Sequence, residues 1–382
     1  MIIKQIAAEN FRNIEMLDIS FSDGVNILYG NNAQGKTNLV EAIYYLACAK
    51  SFRGAKDKEL IRFEASQSRI NSLIHASERD TALEICLSSK PKEIYVNRVK
   101  IQKMREFMGT FRAVLFTPEH LSLIKGSPSE RRSFIDSAIC QLKPRFISLL
   151  FEYSKVLEQR GALLKFYKMQ GIEYDDGINF WNLKLAQDAA QIIYQRRAYI
   201  ERLKKHASRF YDDFCGGRET LNLKYQSVPE DLTSTELIEA HLIKKLEESL
   251  PTDIKNGSTS YGPHRDDITV EINSKLSKLY SSQGQQRSAI LSLKLAEGEI
   301  SFEETGEYPV FLFDDILSEL DEERQSYILK KIHSKQVFIT GCIDYLFGNV
   351  ENAEKIYVEN GKYTSRNYFI TGTNCNFQNG GN

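Results

Sequence analysis

Eight consecutive residues, Gly30-Asn31-Asn32-Ala33-Gln34-Gly35-Lys36-Thr37, fit the pattern GxxxxGK[ST]. Their types suit one kind of chemistry. Glycines let the backbone approach a phosphate and turn N–H groups toward it, and a following helix adds the positive end of its dipole. On this reading Lys36 reaches the β- and γ-phosphates of ATP as a point charge, and Thr37 offers its hydroxyl to Mg²⁺. The bland alternative is a glycine turn that merely caps a helix. The flanks argue against it. Val25-Asn26-Ile27-Leu28-Tyr29 is a compact strand candidate ending at Gly30. After it, Leu39, Ala42, Ile43 and Leu46 recur at helical spacing and predict a helix from Lys36 to about Lys50.

A second chemical run lies far downstream. Val310-Phe311-Leu312-Phe313 is an apolar strand that runs into Asp314 and Asp315. Acidic residues at the end of a buried strand hold Mg²⁺ opposite a phosphate loop, which assigns Asp314 to the metal through water and Asp315 to polarising the attacking water. The competing reading is a solvated acidic turn, because Glu319, Asp321, Glu322 and Glu323 follow at once. The upstream loop favours the metal. Between the two runs sits Ser281-Ser282-Gln283-Gly284-Gln285-Gln286-Arg287, which is either a further anion-binding helix N-terminus or a plain polar cap. The chain order of phosphate loop, Ser-x-Gly-Gln cap, strand with paired acids and Ser318-Glu319-Leu320-Asp321 is that of an ABC-class ATPase head.

These runs need elements to hold them. Further strands are predicted at Ile2 to Ala8, Met16 to Phe21, Ile70 to Ala76, Leu83 to Ser88, Ala113 to Phe116 and Gln336 to Thr340. Ser127-Pro128-Ser129-Glu130 is a capping box with proline at the first helical position, and from there to Phe214 the pattern is helical. Trp181 to Phe214 reads as one helix stopped by Gly216-Gly217. Thr233-Ser234-Thr235-Glu236 caps another that runs to Leu250. Ile268, Val270 and Ile272 alternate as in a half-buried strand, and helices follow from Gln285 to about Ser301 and near Glu322 to Ile332. The expected organisation is an α/β head split by a helical insertion: 1–120 and 251–365 form the head, 121–250 the inserted lobe, and 366–382 a flexible Asn- and Gly-rich tail. Phe146, Phe151, Tyr153 and Trp181 are expected in the core.

The 382 residues carry 50 basic and 51 acidic side chains, so a nucleic-acid surface has to be a local patch. Two basic clusters qualify. One is Lys90, Lys92, Arg98, Lys100, Lys103 and Arg105; the other is Arg196, Arg197, Arg202, Lys204, Lys205 and Arg209. Each is also readable as a solvated face. Phosphate contacts from such clusters are sequence-independent and salt-sensitive. The six cysteines form no CxxC pair, no apolar run approaches the roughly 20 residues that span a bilayer, and the N-terminus lacks a signal-peptide pattern. The expectation is a cytoplasmic protein without a membrane partner.

Asn10-Phe11-Arg12-Asn13, Gly30 through Ile43, Ser51-Phe52-Arg53, Gly126-Ser127-Pro128-Ser129-Glu130-Arg131-Arg132, Gly262-Pro263-His264-Arg265-Asp266-Asp267 and Ser282 through Arg287 together resemble the RecF family of bacterial recombination mediators. The match reaches to about residue 360. The resemblance implies an ABC/SMC-like head with a helical second lobe, and an ATP-dependent homodimer that binds DNA, particularly gapped duplex with single-stranded regions. It implies RecR and RecO as partners, roles in replication-fork recovery, recombinational repair and SOS induction, and weak DNA-stimulated ATP hydrolysis as a release switch. Carried over by motif, Gly30 to Thr37 and Arg12 bind nucleotide, Asp314 and Asp315 serve metal and water, and Ser282, Gln283, Gly284 and Gln285 form a signature loop acting on a second copy's nucleotide. Two positions depart from general ABC heads: Asp315 stands in place of glutamate, and Thr340-Gly341 stands where a histidine is usual. Both departures point to slow turnover. The loop Gly262 to Asp267 reads as a hydrogen-bonded turn before a metal or hydrolytic site. A P-loop nucleotide kinase and the ATPase subunit of a transporter remain as alternatives; the first needs no signature loop, and the second no helical insertion.

Overall fold

The computed structural model describes residues 1–171, 177–332, 334–341 and 353–365. The proposed tail at 366–382 lies outside them. Two compact units emerge: Met1–Arg98 with Val310–Asn382, and Val99–Pro309.

The first unit is built on two sheets. In one, Glu354–Glu359, Val25–Tyr29, Val337–Gly341 and Val310–Phe313 lie side by side and parallel, with Lys362–Ser365 antiparallel at the outer edge. Val337–Gly341 and Val310–Phe313 are buried at every position, as strands covered on both faces must be, and their sequences are correspondingly apolar. The register aligns Val25, Val337 and Phe311, so the strands end together and deliver Gly30, Asp314 and Thr340 to one edge. The carboxyl ends of parallel strands are where α/β sheets bind ligands.

The other sheet is antiparallel, in the order Ile14–Ser20, Ile2–Phe11, Gln67–Ala76, Arg79–Ser88 and Glu93–Val96. Its strands show the period-two burial of a sheet wet on one face. Gln336 ties the two sheets, accepting from the Ile3 N–H at 2.7 Å and donating to the Ile3 carbonyl at 2.8 Å.

The second unit is mainly helical. Its spine is one 39-residue helix, Gly177–Cys215, longer at the start than the predicted Trp181 to Phe214. Arg145–Gln170, Thr235–Glu248 and Gln283–Thr305 pack along it, and Leu221–Gln226 pairs antiparallel with Asp267–Ile272. The unit boundaries therefore fall at 98/99 and 309/310 rather than at the expected 120/121 and 250/251. The reason is burial. Residues 251–309 supply a strand and a 23-residue helix whose partners are Leu221–Gln226 and the spine, and Gln141 closes a two-way hydrogen-bonded pair with the backbone of Ala113. Inside this unit Arg160 and Asp253 form a fully buried ion pair at 2.8 Å, with Asn182 and Thr259 accepting further bonds from the guanidinium.

One packing expectation fails. Phe146 and Tyr153 are buried, but Phe151 is 58% exposed. Residues five apart on a helix point to opposite faces, so Phe146 and Phe151 cannot share the core stripe. Trp181 is half-buried, with its ring against Phe180.

Candidate functional site: a phosphate loop and its acidic partner

The predicted helix forms over Lys36–Cys48, with Gly35 at its N-cap. The loop from Gly30 to Gly35 is held open by its glycines. Gly30 has φ +149°, and a Cβ there would lie 2.2 Å from the carbonyl oxygen of Val358, so any side chain would push the neighbouring strand away. The C-terminal hairpin also fixes the loop from outside. The Gly361 N–H donates to the Gln34 carbonyl at 2.9 Å, the Asn360 N–H to Gln34 Oε1 at 2.7 Å, and the Tyr363 hydroxyl to the Gly35 carbonyl at 2.7 Å. Burial raises the Tyr363 pKa, which keeps that hydroxyl a donor.

Lys36 is buried, and its Nζ donates to the carbonyls of Gly30 at 2.7 Å and Asn31 at 2.9 Å. The ammonium is thus bent over its own loop, where an anion would sit. Thr37 Oγ1 donates to Asp314 Oδ1 at 3.0 Å, and Thr340 Oγ1 donates to the same oxygen at 2.9 Å. The Asp315 N–H donates to Thr340 Oγ1 at 2.9 Å, while the Asp315 side chain is exposed at the cleft wall with φ +57°. Sequence reasoning placed Asp314 and Asp315 at this edge and missed Thr340, which was noted only as the residue standing where histidine is usual. The hydroxyl orients both acidic residues, one through its proton and one through its lone pair.

Thr37 and Asp314 present hard oxygen donors side by side, and among the described residues no cluster of three or more His, Cys, Asp or Glu side chains competes for a metal. Mg²⁺ suits such a pair, because it takes one or two protein oxygens and fills its remaining positions with phosphate and water.

Arg12 lines the cleft, but its guanidinium is occupied. Nε and Nη2 donate to the two carboxylate oxygens of Glu41 at 2.8 and 2.9 Å, and Nη1 donates to the Glu59 carbonyl at 3.1 Å. Arg12 therefore braces the helix that follows the phosphate loop while it lines the cleft. Glu41 is wholly buried and also accepts from Ser51, with Arg53 at 3.8 Å. Neither Glu41 nor Ser51 was singled out from sequence for a role of its own. The cleft bounded by the loop, Arg12, Asp315 and the segment 58–65 has a volume of about 1360 Å³.

In the other unit, Ser282 caps the helix Gln283–Thr305 in a reciprocal box. Its Oγ accepts from the Gln285 N–H at 3.2 Å, and its N–H donates to Gln285 Oε1 at 2.7 Å. Gln285 also donates to Glu219 at 2.6 Å, which leaves Gln283 and Gly284 in the first turn with N–H groups that have no intrahelical acceptor.

In the second basic cluster, Arg196, Arg197 and Arg202 are engaged within the fold. Arg196 is buried, paired bidentately with Asp136 at 2.8 Å through both nitrogens, and donates to the Pro263 carbonyl at 2.7 Å. Arg197 donates to the carbonyls of Leu232, Val228 and Pro229, and Arg202 pairs with Glu303 and Glu304. These arginines tie the spine to its neighbours. Lys205 stays exposed and Lys204 half-exposed; Lys100, Lys103 and Arg105 are exposed. The Gly262–Asp267 turn is hydrogen-bonded: His264 Nε2 meets the Thr259 carbonyl at 3.1 Å and Nδ1 meets the Tyr153 hydroxyl at 2.6 Å, while Asp267 pairs with Arg131.

The family model described as RecF/RecN/SMC N terminal domain matches residues 2–365. The DNA replication and repair protein RecF of Clostridium perfringens (strain SM101 / Type A) is 40% identical over 365 residues, covering 95% of this chain and 99% of that one. The chain belongs to the RecF family. The RecF of Ligilactobacillus salivarius (strain UCC118) is 37% identical over 374 residues, 97% of this chain and 99% of its own. A solved structure of the recombination mediator protein RecF with ATPrS superposes with a TM-score of 0.89 at 38% identity, over 96% of this chain and 98% of that one. An Smc head bound to the C-winged helix domain of ScpA reaches a TM-score of 0.52 at 13% identity, over 96% and 97% of the two chains, a likeness of fold alone. The RecF-family fold is thus the ABC/SMC-type head that the motif order implied.

Proposed function

We propose that this chain is an ATP-dependent DNA-binding protein that dimerises on ATP and is released by slow hydrolysis. The observation that carries the reading is the join between Thr37 and Asp314, which sets a phosphate loop and an acidic strand end in one cleft. Two solved RecF relatives described as complexes with ATP and ATPrS support the choice of nucleotide.

ATP places its phosphates under the loop N–H groups, and Lys36 exchanges its two carbonyl acceptors for phosphate oxygens. Thr37 and, through water, Asp314 are the residues that would hold Mg²⁺, which when bound would neutralise charge on the phosphate oxygens. Asp315 orients the attacking water from the cleft wall. The first turn led by Ser282 offers unpaired N–H groups and a helix dipole to a γ-phosphate held by a second copy, so that each chain completes its partner's pocket. Loss of the γ-phosphate then removes the shared ligand and loosens the pair.

The proposal extends to DNA binding at gapped duplex, partnership with RecR and RecO, and work in fork recovery, recombinational repair and SOS induction, a reading that membership of the RecF family supports. Light scattering with and without ATP tests the switch. The expected result is a monomer that becomes a dimer on ATP, with the shift abolished in Lys36→Arg and Ser282→Arg; a dimer equally populated without nucleotide sinks it.

A further inference from the structure

Behind the Ser282 box stands a carboxylate to which the switch proposed above gives no part. Glu219 lies between the end of the spine helix Gly177–Cys215 and the strand Leu221–Gln226. Its backbone is pinned on the strand side: the Thr220 N–H donates to Asn273 Oδ1 at 2.9 Å, and the Asn273 N–H donates to the Thr220 carbonyl at 3.0 Å. Its side chain is pinned as well. Oε2 accepts from the Tyr211 hydroxyl at 2.7 Å and from the Cys215 thiol at 3.5 Å, so both anchors come from the last turns of the spine. Oε1 accepts from the Gln285 amide at 2.6 Å. Burial works against ionisation of Glu219, but the bonds from Tyr211, Gln285 and Cys215, with Arg218 nearby, outweigh it and hold its pKa below the ordinary value.

An ionised carboxylate only accepts, and this decides which way the Gln285 amide points. With its NH₂ on Glu219, its oxygen faces the Ser282 N–H and closes the box at 2.7 Å. Turned over, the amide would set oxygen against carboxylate and NH₂ against N–H, two repulsions in place of two bonds. The orientation has a consequence at Ser282. Its Oγ accepts from the Gln285 N–H at 3.2 Å, which leaves the hydroxyl proton for an acceptor outside the box. Ser282 is exposed, so that proton joins the first-turn N–H groups as a donor to an anion.

We infer that Glu219 is the positioning residue of the signature loop: it fixes Gln285, and through Gln285 it fixes Ser282, in the geometry that receives the second copy's γ-phosphate. The inference deepens the proposed switch and rests on it. Light scattering in saturating ATP compares wild type, Glu219→Ala, Glu219→Gln and Ser282→Arg, and a fluorescent ATP analogue reads nucleotide affinity on dilute, unpaired chain. Glu219→Ala is expected to raise the chain concentration at half-dimer roughly tenfold or more, the effect of losing a hydrogen bond to a charged group, and to leave the affinity of unpaired chain unchanged. Glu219→Gln still offers Gln285 an oxygen once the Tyr211 hydroxyl turns to accept, and is expected to recover most of the loss. Mixing Glu219→Ala with Lys36→Arg, at a concentration where neither pairs alone, restores ATP-driven pairs, because one pocket then joins an intact phosphate loop to an intact signature loop. Normal pairing of Glu219→Ala beside a failed Ser282→Arg overturns the role of Glu219 and leaves the signature loop standing. Weakened nucleotide affinity in the unpaired Glu219→Ala chain, or no recovery in the mixture, makes Glu219 a structural residue only and also overturns it. Normal pairing of Ser282→Arg removes the part given to the signature loop and this inference together.

Discussion

The hydroxyl of Thr37 donates to Asp314 Oδ1 across 3.0 Å, joining two residues 277 positions apart in the chain. The bond exists because the strands Val25–Tyr29 and Val310–Phe313 flank Val337–Gly341 in parallel register and end at one level. Thr37→Ser keeps the oxygen and is expected to retain Mg²⁺-dependent ATP binding. Thr37→Val removes the hydroxyl and is expected to cost about 1.5–3 kcal/mol, the range for a hydrogen bond to a charged group, and so roughly 10- to 150-fold in that affinity. Titration with ATP in Mg²⁺ and in EDTA checks it. Equal losses under both conditions would place the effect on the loop and not on the metal.

Thr340 stands where general ABC heads carry histidine, and its hydroxyl does two jobs at once, donating to Asp314 at 2.9 Å and accepting from the Asp315 N–H at 2.9 Å. Valine at this buried position preserves shape and strands the Asp315 N–H while robbing Asp314 of a partner. We expect Thr340→Val to lower stability by about 1–3 kcal/mol and to reduce ATP turnover, with Thr340→Ser close to wild type on both counts. Urea unfolding and steady-state phosphate release measure the two effects. A valine variant that turns over normally refutes the positioning role.

How much of this was legible beforehand differs by the range of the interaction involved. The helix Lys36–Cys48 and the strands Val25–Tyr29 and Val310–Phe313 follow from local periodicity and turn chemistry, and the structure places them within two residues of expectation. The capping box at Ser127 is a four-residue signal and formed as read, while the polar cap expected near Ser282 closed into a reciprocal box that starts its helix at Gln283, two residues earlier than expected. What escaped depends on partners distant in sequence. The short strands Leu221–Gln226, Glu354–Glu359 and Lys362–Ser365 have mixed polarity and gain their character from pairing. Glu41 looked like one more polar helix position, yet it is buried because Arg12, 29 residues earlier, and Ser51 meet it. Likewise Arg196 and Arg197 read as exposed basic residues because their acceptors, Asp136 and the Leu232 carbonyl, lie 60 and 35 residues away. Charge counted along a helix says nothing about which face carries it.

With those arginines engaged in the fold, the exposed members of the two basic clusters are Lys90, Arg98, Lys100, Lys103, Arg105, Lys205 and Arg209, with Lys204 half-exposed. Each phosphate neutralised contributes about 0.9 to the slope of log affinity against log salt on duplex DNA. Lys100→Glu, Lys103→Glu and Arg105→Glu together are expected to weaken gapped-duplex binding at least tenfold and to flatten the salt slope by about 2–3. Fluorescence anisotropy over a salt series reads both quantities. Arg196→Glu is expected instead to lose folded protein, since it buries an unpaired carboxylate beside Asp136 and Asp266. Normal folding of that variant with a flattened slope would return the second cluster to the DNA surface.

His264 gives the fold a pH dependence whose sign follows from its bonds. The Thr259 carbonyl can only accept, so Nε2 carries the proton and Nδ1 accepts from the Tyr153 hydroxyl; the ring is neutral as folded. Burial pushes its pKa down from 6.5 to about 4, the Thr259 carbonyl works against this, and Arg265, Arg132 and Arg160 add to the depression. Above pH 6.5 folded and unfolded chains are both neutral here, and the contribution is fully present. As pH falls toward 4 only the unfolded chain takes up the proton, so stability is lost across that window and levels off below it. The integrated effect between pH 7 and pH 5 is about 2 kcal/mol. His264→Gln has no such titration, and urea midpoints measured at both pH values should fall less for the variant than for the wild type by that margin. Parallel losses in the two proteins would show that His264 is protonated as easily in the folded chain as in the unfolded one.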